Sequence, residues 1–190
     1  MDDANSRHTI TIVYFGGLSV NPRMRRLAAD YDELRRRFAG HSDVQIQIIG
    51  PEPPERYRIL FNVPTLRIDA QNNPVIVHQT VVDITLPAGY PREKPFAVAL
   101  DPVFHPNFSS DHICIADFWS PAQSLADIVV QIADMLQWRR YNIHSPLNAI
   151  AADWASSHTA QLPIGHVEVT TSVQPQNPEV IQERIILNEV

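Results

Sequence analysis

Several runs between residues 44 and 86 alternate between apolar and polar side chains, and this pattern constrains the fold more than any other feature of the chain. A period of two is typical of strands that bury one face. Four runs carry the alternation, at 44–49, 57–63, 65–68 and 75–86, with turn residues at 50–54 and 72–74. Short consecutive strands with tight turns predict an antiparallel meander.

Helical patterns stand on both sides of the strands. Apolar residues recur every three or four positions from Met24 to Phe38, with Asn21 as a suitable N-cap, Pro22 at the first helical position and Gly40 at the end. The same spacing predicts helices within 124–138 and 146–154, and residues 9–15 and 96–100 have short strand patterns. A helix that covers one face of such a sheet gives an α+β fold.

The chain is long enough for one domain with a tail. It has 190 residues, of which 44% are hydrophobic, and this content suffices for a proper core. We divide it into an N-terminal extension at 1–21, a domain at 22–159 and a C-terminal tail at 160–190. No internal repeat is visible.

Composition excludes several functional classes. The net charge of −6 argues against a general affinity for nucleic acid. The chain has no apolar run near the roughly 20 residues needed to span a bilayer, and its first residues are acidic and polar. A single cysteine excludes an internal disulfide. We therefore expect a cytoplasmic protein without membrane or nucleic-acid partners.

That single cysteine, Cys114, follows a polar loop that contains His105 and His112. It is a candidate nucleophile, because thiolate chemistry is available near neutral pH. A small buried thiol is the plain alternative. Metal binding by Cys114 with both histidines lacks a clear fourth ligand. A cysteine hydrolase with one of the histidines as base and Asp117 as orienter is a further alternative.

The order of motifs around Cys114 resembles the catalytic domain of ubiquitin-conjugating enzymes, the UBC fold, from about Pro22 to Ala155. Each motif is common by itself, but the ordered set at these spacings is specific. The motifs are Leu86-Pro87-x-Gly89-Tyr90-Pro91 with Lys94-Pro95, His105-Pro106-Asn107, Cys114, Trp119-Ser120-Pro121-Ala122 and Ser145-Pro146-Leu147-Asn148.

The resemblance implies a thioester relay without a cofactor or metal. Cys114 would receive ubiquitin or a ubiquitin-like protein from an activating enzyme and transfer it to an amine of a target, with or without a ligase. Asn107 would stabilise the oxyanion or brace the active-site loop, and the residues alone leave both roles open. His105 and Pro106 would hold the loop.

Two further residues receive catalytic roles from the resemblance. Ser145 stands where the family commonly has an aspartate or serine at the gate of the active site, and a serine there can orient an incoming amine. A serine at the gate lacks the negative charge of an aspartate. Asp117 is the nearest carboxylate after Cys114 and could supply that charge. A solvated loop acid is the alternative for Asp117.

The resemblance also implies two partner-binding surfaces. Arg25 and Arg26 on the first helix would contact the activating enzyme. Arg92 and the pair Ser120 and Pro121 would lie on the ligase-binding loops. Many family members carry an apolar residue at the position of Arg92, so a conventional RING ligase is in doubt.

Departures from the family pattern indicate a divergent member. The stretch from Cys114 to Trp119 is short, and Lys94 is the single lysine against fourteen arginines. We therefore hypothesise a bacterial ubiquitin-like pathway that acts in antiviral defence against phage. The alternative function is a catalytically inactive UBC-fold binding module, although such modules typically lack the cysteine.

Overall fold

The described part of the chain combines one antiparallel sheet, one separate hairpin and three α-helices. The computed structural model describes residues 21–115 and 119–169. In chain order these form α1 (Pro22–Phe38), β1 (Val44–Ile49), β2 (Arg56–Phe61), β3 (Thr65–Ile68), β4 (Pro74–Val77), β5 (Thr80–Thr85), β6 (Phe96–Ala99), α2 (Leu125–Leu136), α3 (Ala149–Ser157) and a 3₁₀ turn (Thr159–Gln161). The predicted α+β class is confirmed. The strand pattern predicted at 9–15 lies outside the described residues.

The strands form two sheets rather than a continuous meander. Four strands pair antiparallel in the order β1-β2-β5-β6, while β3 and β4 form a hairpin of their own. The alternating run at 75–86 is therefore two strands, because Val77 pairs with Thr65 of β3 and Thr80 pairs with Phe61 of β2. The exposed His78 marks the point where the chain leaves the hairpin.

Helix α1 begins and ends as its sequence predicts. The Oδ1 of Asn21 accepts a hydrogen bond from the backbone N–H of Arg23 at 2.9 Å. Gly40 has a φ of 69°, a left-handed conformation that glycine adopts without steric cost. Between these ends Leu27 and Leu34 are at most 1% exposed, and each contributes about 1.5–3 kcal/mol by its burial.

A main core joins the helices to the sheet. Its largest contributions come from α1, one face of β2 and β5, and the apolar stripe of α2. A second cluster forms around Phe104 and Trp138, where Leu66 attaches the β3–β4 hairpin to the small residues of α3. The backbone N–H of Phe104 also donates to the carbonyl of Leu66 at 2.8 Å. The hairpin is thus fixed to the region that follows β6.

Residues after α3 continue to pack on the domain as far as Val169, which is 2% exposed. The side chain of Gln137 donates to the carbonyl of Val167 at 3.0 Å and accepts from its N–H at 2.7 Å. The first ten residues of the predicted tail therefore lie against the domain, and the remainder lies outside the described residues. No helix in the described part of the chain is both long and apolar enough to cross a membrane.

Candidate active site

Cys114 lies in an extended segment between two buried residues. Ile113 and Ile115 are 4% and 0% exposed, so the side chain between them is directed away from the core and is partly exposed. The N–H of Cys114 donates to the carbonyl of Asn107 at 2.8 Å, and the N–H of Ile113 donates to Ala97 of β6 at 2.8 Å. The thiol is therefore carried by a segment fixed to the edge of the sheet.

Asn107 connects this segment to the chain that follows α2. The residue is 7% exposed. Its Nδ2 donates to the carbonyl of Cys114 at 3.2 Å, and its Oδ1 accepts from the N–H of Asn142 at 2.9 Å. These contacts are those of a brace between two loops.

His105 is fully buried and neutral. Burial lowers the pKa of its imidazole to about 3. Its Nδ1 accepts from the N–H of Asn107 at 3.1 Å, so its proton lies on Nε2, which donates to the carbonyl of Arg140 at 3.2 Å. The ring also packs edge-on against Trp138. Both nitrogens are engaged, so His105 is placed as a structural residue and not as a base.

Pro106 fixes the start of α3. Its carbonyl accepts hydrogen bonds from the backbone N–H groups of Leu147 at 2.8 Å and Asn148 at 3.1 Å. The side chain of Asn148 in turn caps α3 by accepting from the N–H of Ala151 at 3.0 Å. The loop before the cysteine and the loop after α2 are thus anchored to each other at adjacent residues.

The segment predicted to form the gate is folded around Asn142. The Oδ1 of Asn142 accepts from the N–H of His144 at 2.9 Å and of Ser145 at 3.3 Å. Ser145 is exposed. It is not among the described residues that line the cleft beside Cys114, whereas His144 is.

That cleft has a volume of about 620 Å³. Most of its lining is polar, and it borders the start of the short stretch at 116–118 that the structure does not describe. The described lining residues are Asn107, Cys114, Ile115, Gln123, Gln131, Met135, Arg140, Tyr141, Asn142, Ile143 and His144.

A buried glutamine of α2 supports the residue after the cysteine. Gln131 is 7% exposed. Its Nε2 donates to the carbonyl of Ile115, and its Oε1 accepts from Nε2 of Gln123 at 3.3 Å. The cysteine segment is therefore supported from α2 as well as from the sheet.

Trp119 joins the two loops that were predicted to bind a ligase. Its Nε1 donates to the carbonyl of Pro91 at 2.6 Å. Arg92 follows Pro91 directly, and Ser120 and Pro121 follow Trp119. All three of these residues are exposed, so they form neighbouring parts of one surface.

The two arginines predicted to bind the activating enzyme differ in their surroundings. Arg25 is exposed. The Nε of Arg26 instead donates to Asp30 at 2.7 Å, and its NH2 donates to the hydroxyl of Tyr90 at 3.1 Å. The guanidinium of Arg26 also donates to the carbonyls of Pro121 and Gln123. It therefore links α1 to both loops and is not a free surface charge.

Two candidates from the sequence remain, Asp117 and His112. Asp117 lies outside the described residues. The Nδ1 of His112 lies 3.1 Å from Oδ1 of Asp111 and 3.2 Å from Oγ of Ser109, within its own turn. Within 21–115 and 119–169, no group of three acidic, histidine or cysteine side chains could hold a metal ion.

Comparisons with known proteins find a family to which part of the chain is similar. A family model described as ubiquitin-conjugating enzyme matches residues 78–162. This stretch runs from the end of the hairpin through the cysteine to the residue after the 3₁₀ turn. Two curated proteins of Arabidopsis thaliana also match, namely ubiquitin-conjugating enzyme E2 27 and ubiquitin-conjugating enzyme 15. The matched part of the chain is therefore similar to ubiquitin-conjugating enzymes, whose fold is the UBC fold.

The extent of these matches is limited. Ubiquitin-conjugating enzyme E2 27 is 43% identical over 60 residues, which cover 29% of this UBC-fold chain and 31% of the relative. Ubiquitin-conjugating enzyme 15 is 29% identical over 96 residues, which cover 46% of the chain and 60% of the relative. The chain thus spans less than two thirds of the length of either relative.

A solved structure of the E2 domain of a ubiquitin-conjugating enzyme from Toxoplasma gondii is also similar to this UBC-fold chain. The sequence identity is 23%, and the TM-score is 0.47. The alignment covers 73% of the chain and 87% of the Toxoplasma domain.

Sequence reasoning missed several residues of this UBC-fold site. A polar side chain within the apolar run of a predicted helix was a usable signal for Gln131. Asn142, Arg140 and His144 carried no such signal, because their positions follow from how the loop after α2 folds back on Asn107.

Proposed function

We propose that the chain is an acyl carrier of the ubiquitin-conjugating type. Cys114 accepts the C-terminus of ubiquitin or a ubiquitin-like protein as a thioester from an activating enzyme and transfers it to an amine of a target. One observation carries the proposal: the single thiol of a UBC-fold chain is partly exposed, opens on a cleft, and has its backbone fixed to Asn107 at 2.8 Å.

This arrangement suits both transfers. In the first, the thiolate of Cys114 attacks the thioester of the activating enzyme, one C–S bond replaces another, and the free energy changes little. In the second, an amine displaces the thiolate, and a more stable amide forms. A rigid cysteine segment holds the carbonyl carbon where the amine can reach it, which lowers the entropic part of the barrier.

The other predicted site residues take supporting roles in this proposal. Asn107 braces the loop, since its Nδ2 and Oδ1 are occupied by backbone groups. His105 and Pro106 hold that loop against α3. Ser145 is exposed next to the lining residue His144, where it orients an incoming amine from the rim. Asp117, three residues after Cys114 in the sequence, supplies the negative charge that a serine at position 145 lacks.

The proposed partners follow from the exposed residues. Arg25 contacts the activating enzyme, and the surface formed by Arg92, Ser120 and Pro121 receives a ligase or the target protein. No cofactor takes part. The cytoplasmic setting, the bacterial source and the role in antiviral defence belong to the same proposal. Genes for an activating enzyme and a ubiquitin-like protein beside this gene would support them, and isolation from such genes would count against them.

A charging assay tests the function. The wild-type chain and C114A are each incubated with a C-terminal mercaptoethanesulfonate thioester of ubiquitin, which removes the need for a matched activating enzyme. We expect a covalent product only with the wild type, and its removal by excess thiol. Ser110→Ala, at an exposed serine of the same loop, is the control and should charge normally.

The same assay separates the alternative function. A wild-type chain that binds ubiquitin in a nuclear magnetic resonance titration but forms no thioester would be a binding module, and the acyl-carrier proposal would be wrong. A product that persists in C114A would place the acyl group on another residue and would also overturn it.

A further inference from the structure

One wall of the cleft beside Cys114 is basic. It is formed by residues 140–144, and both Arg140 and His144 line it and are exposed. None of the described lining residues is acidic, and the carboxylate of Asp134, which interacts electrostatically with Arg140, is not among them. An amine that approaches the thioester across this wall therefore meets an imidazole and a guanidinium.

Two asparagines set the position of this wall relative to the thiol. The side chain of Asn107 holds the carbonyl of Cys114 at 3.2 Å and the N–H of Asn142 at 2.9 Å. The side chain of Asn142 then accepts from the N–H of His144 at 2.9 Å. The backbone of His144 is thus connected to that of Cys114 through two side chains, and both residues face the same cleft.

We propose that His144 and Arg140 form the acceptor side of the site. His144 takes the proton from the attacking amine, and Arg140 selects amines that have carboxylates beside them. The proposal rests on the proposed function, because it concerns the second of the two transfers.

The chemical step balances with these groups alone. The lone pair of the amine nitrogen attacks the thioester carbonyl carbon and forms a C–N bond. The nitrogen then loses a proton to a ring nitrogen of His144, the C–S bond breaks, and the electron pair leaves on the sulfur of Cys114. The imidazolium returns its proton to the thiolate or to water, so both side chains end as they began.

Arg140 acts on the acceptor in two ways. A nearby positive charge disfavours the protonated form of an amine, which raises the fraction that can attack. It also repels a peptide whose amine is flanked by arginines and attracts one flanked by glutamates. The acceptor class is therefore a primary amine in an acidic sequence context.

The role of His144 is tested by discharge of the isolated Cys114 thioester in single turnover. The acceptor is an acetylated peptide with one lysine between two glutamates. We expect H144N to slow discharge by at least about tenfold at pH 7.5. The ratio of wild-type to variant rate constants should rise with pH, because only an unprotonated imidazole can accept the proton of the amine. The other titratable and charged lining residues are Cys114, Tyr141 and Arg140.

Three controls decide between a catalytic and a merely structural effect. Excess dithiothreitol attacks the thioester as a thiolate and has no proton for His144 to remove, so it should discharge wild type and H144N within about twofold of each other. H78N changes an exposed histidine beyond the hairpin and should behave as wild type. Two results would overturn the proposal. One is a rate ratio that does not change with pH, and the other is a pH dependence that D117N abolishes and H144N leaves intact.

The role of Arg140 is tested by a charge swap. The same peptide is compared with one in which arginines replace both glutamates. Wild type should favour the glutamate peptide by about threefold, and R140E should reverse the preference. R56E, at an exposed residue of strand β2, should leave it unchanged. A preference that R140E leaves intact would contradict the selection by Arg140.

Failure of this proposal is distinguishable from failure of the proposed function. Charging of Cys114 by the ubiquitin thioester is measured first and does not involve an acceptor amine. H144N and R140E are each charged to completion, and their discharge is followed only after the thioester has been isolated. Normal charging with an unaltered discharge would refute only the acceptor site, whereas absent charging in the wild type would refute the carrier function.

Discussion

Asn107 and Cys114 are joined by two hydrogen bonds that run in opposite directions. The N–H of Cys114 donates to the carbonyl of Asn107 at 2.8 Å, and the side-chain Nδ2 of Asn107 donates to the carbonyl of Cys114 at 3.2 Å. Because the same side chain also accepts from Asn142 at 2.9 Å, one asparagine sets both the thiol segment and the opposite wall of the cleft.

Replacing Asn107 with alanine should destabilise the domain and slow transfer to amines. The carbonyl of Cys114 and the N–H of Asn142 both lose their partner, and we expect about 1–3 kcal/mol less free energy of unfolding. Urea denaturation measures this loss, and single-turnover discharge measures the effect on transfer. Asn107 also holds the cleft wall at 140–144 in place, so we expect N107A to slow discharge more than charging.

A matched control for this prediction is Asn62→Ala. Asn62 also makes two side-chain hydrogen bonds, but in an exposed region away from the site. Water can replace those bonds, so we expect a smaller loss. Equal losses in N107A and N62A would contradict the bracing role of Asn107.

Arg26→Ala should be far more damaging than Arg25→Ala. Asp30 is 2% exposed and loses its salt-bridge partner in R26A, while the loops at Tyr90 and Pro121 lose their link to α1. We expect a loss of about 2–4 kcal/mol for R26A and within about 0.5 kcal/mol for R25A. Chemical denaturation of both variants checks this, and similar stabilities would show that the internal network contributes little.

Arg25→Glu should impair only the step that involves the activating enzyme. Arg25 is exposed, so the reversal leaves the core intact and changes the charge that a partner meets. We expect slower charging by an activating enzyme at low ionic strength and unchanged charging by the ubiquitin mercaptoethanesulfonate thioester. If R25E slows both reactions, the effect lies in the cysteine site. If it slows neither, the activating enzyme binds elsewhere.

The sequence predicts the elements of this fold well because each element has its own periodicity. The helix from Pro22 and the strand at 44–49 lie where their patterns place them. The run at 75–86 was predicted as one continuous stretch of strand, which is wrong. Alternation indicates which face of a strand is buried but not which strand it pairs with. Residues 75–77 of that run pair with β3, and residues 80–85 pair with β2.

The candidate site could be predicted only in part, because its residues come together through loops. The motif around Asn107 identifies the cysteine segment. The sequence did not indicate that the side chain of Arg26 makes internal hydrogen bonds, since its partners Tyr90 and Gln123 are more than 60 residues away in sequence. The third helix was also predicted too early, at 146–154 instead of Ala149–Ser157, because the N-cap signal of Asn148 was not used.

His105 should make the stability of the domain depend on pH. Burial lowers the pKa of its imidazole to about 3, below the ordinary value of about 6.5 that it has in the unfolded chain. The unfolded state therefore binds the proton first as the pH falls. The stabilisation is complete above about pH 6.5 and is lost progressively as the pH falls toward 3.

Between pH 7 and 5 this linkage predicts a loss of about 2 kcal/mol in the free energy of unfolding. His105→Gln removes the titrating group, so its stability should be lower at pH 7 but should fall less over this range. His78→Gln changes an exposed histidine and should keep the wild-type slope. Urea denaturation at several pH values measures all three slopes. Parallel slopes for wild type and H105Q would mean that the buried imidazole is not the group that responds to acid.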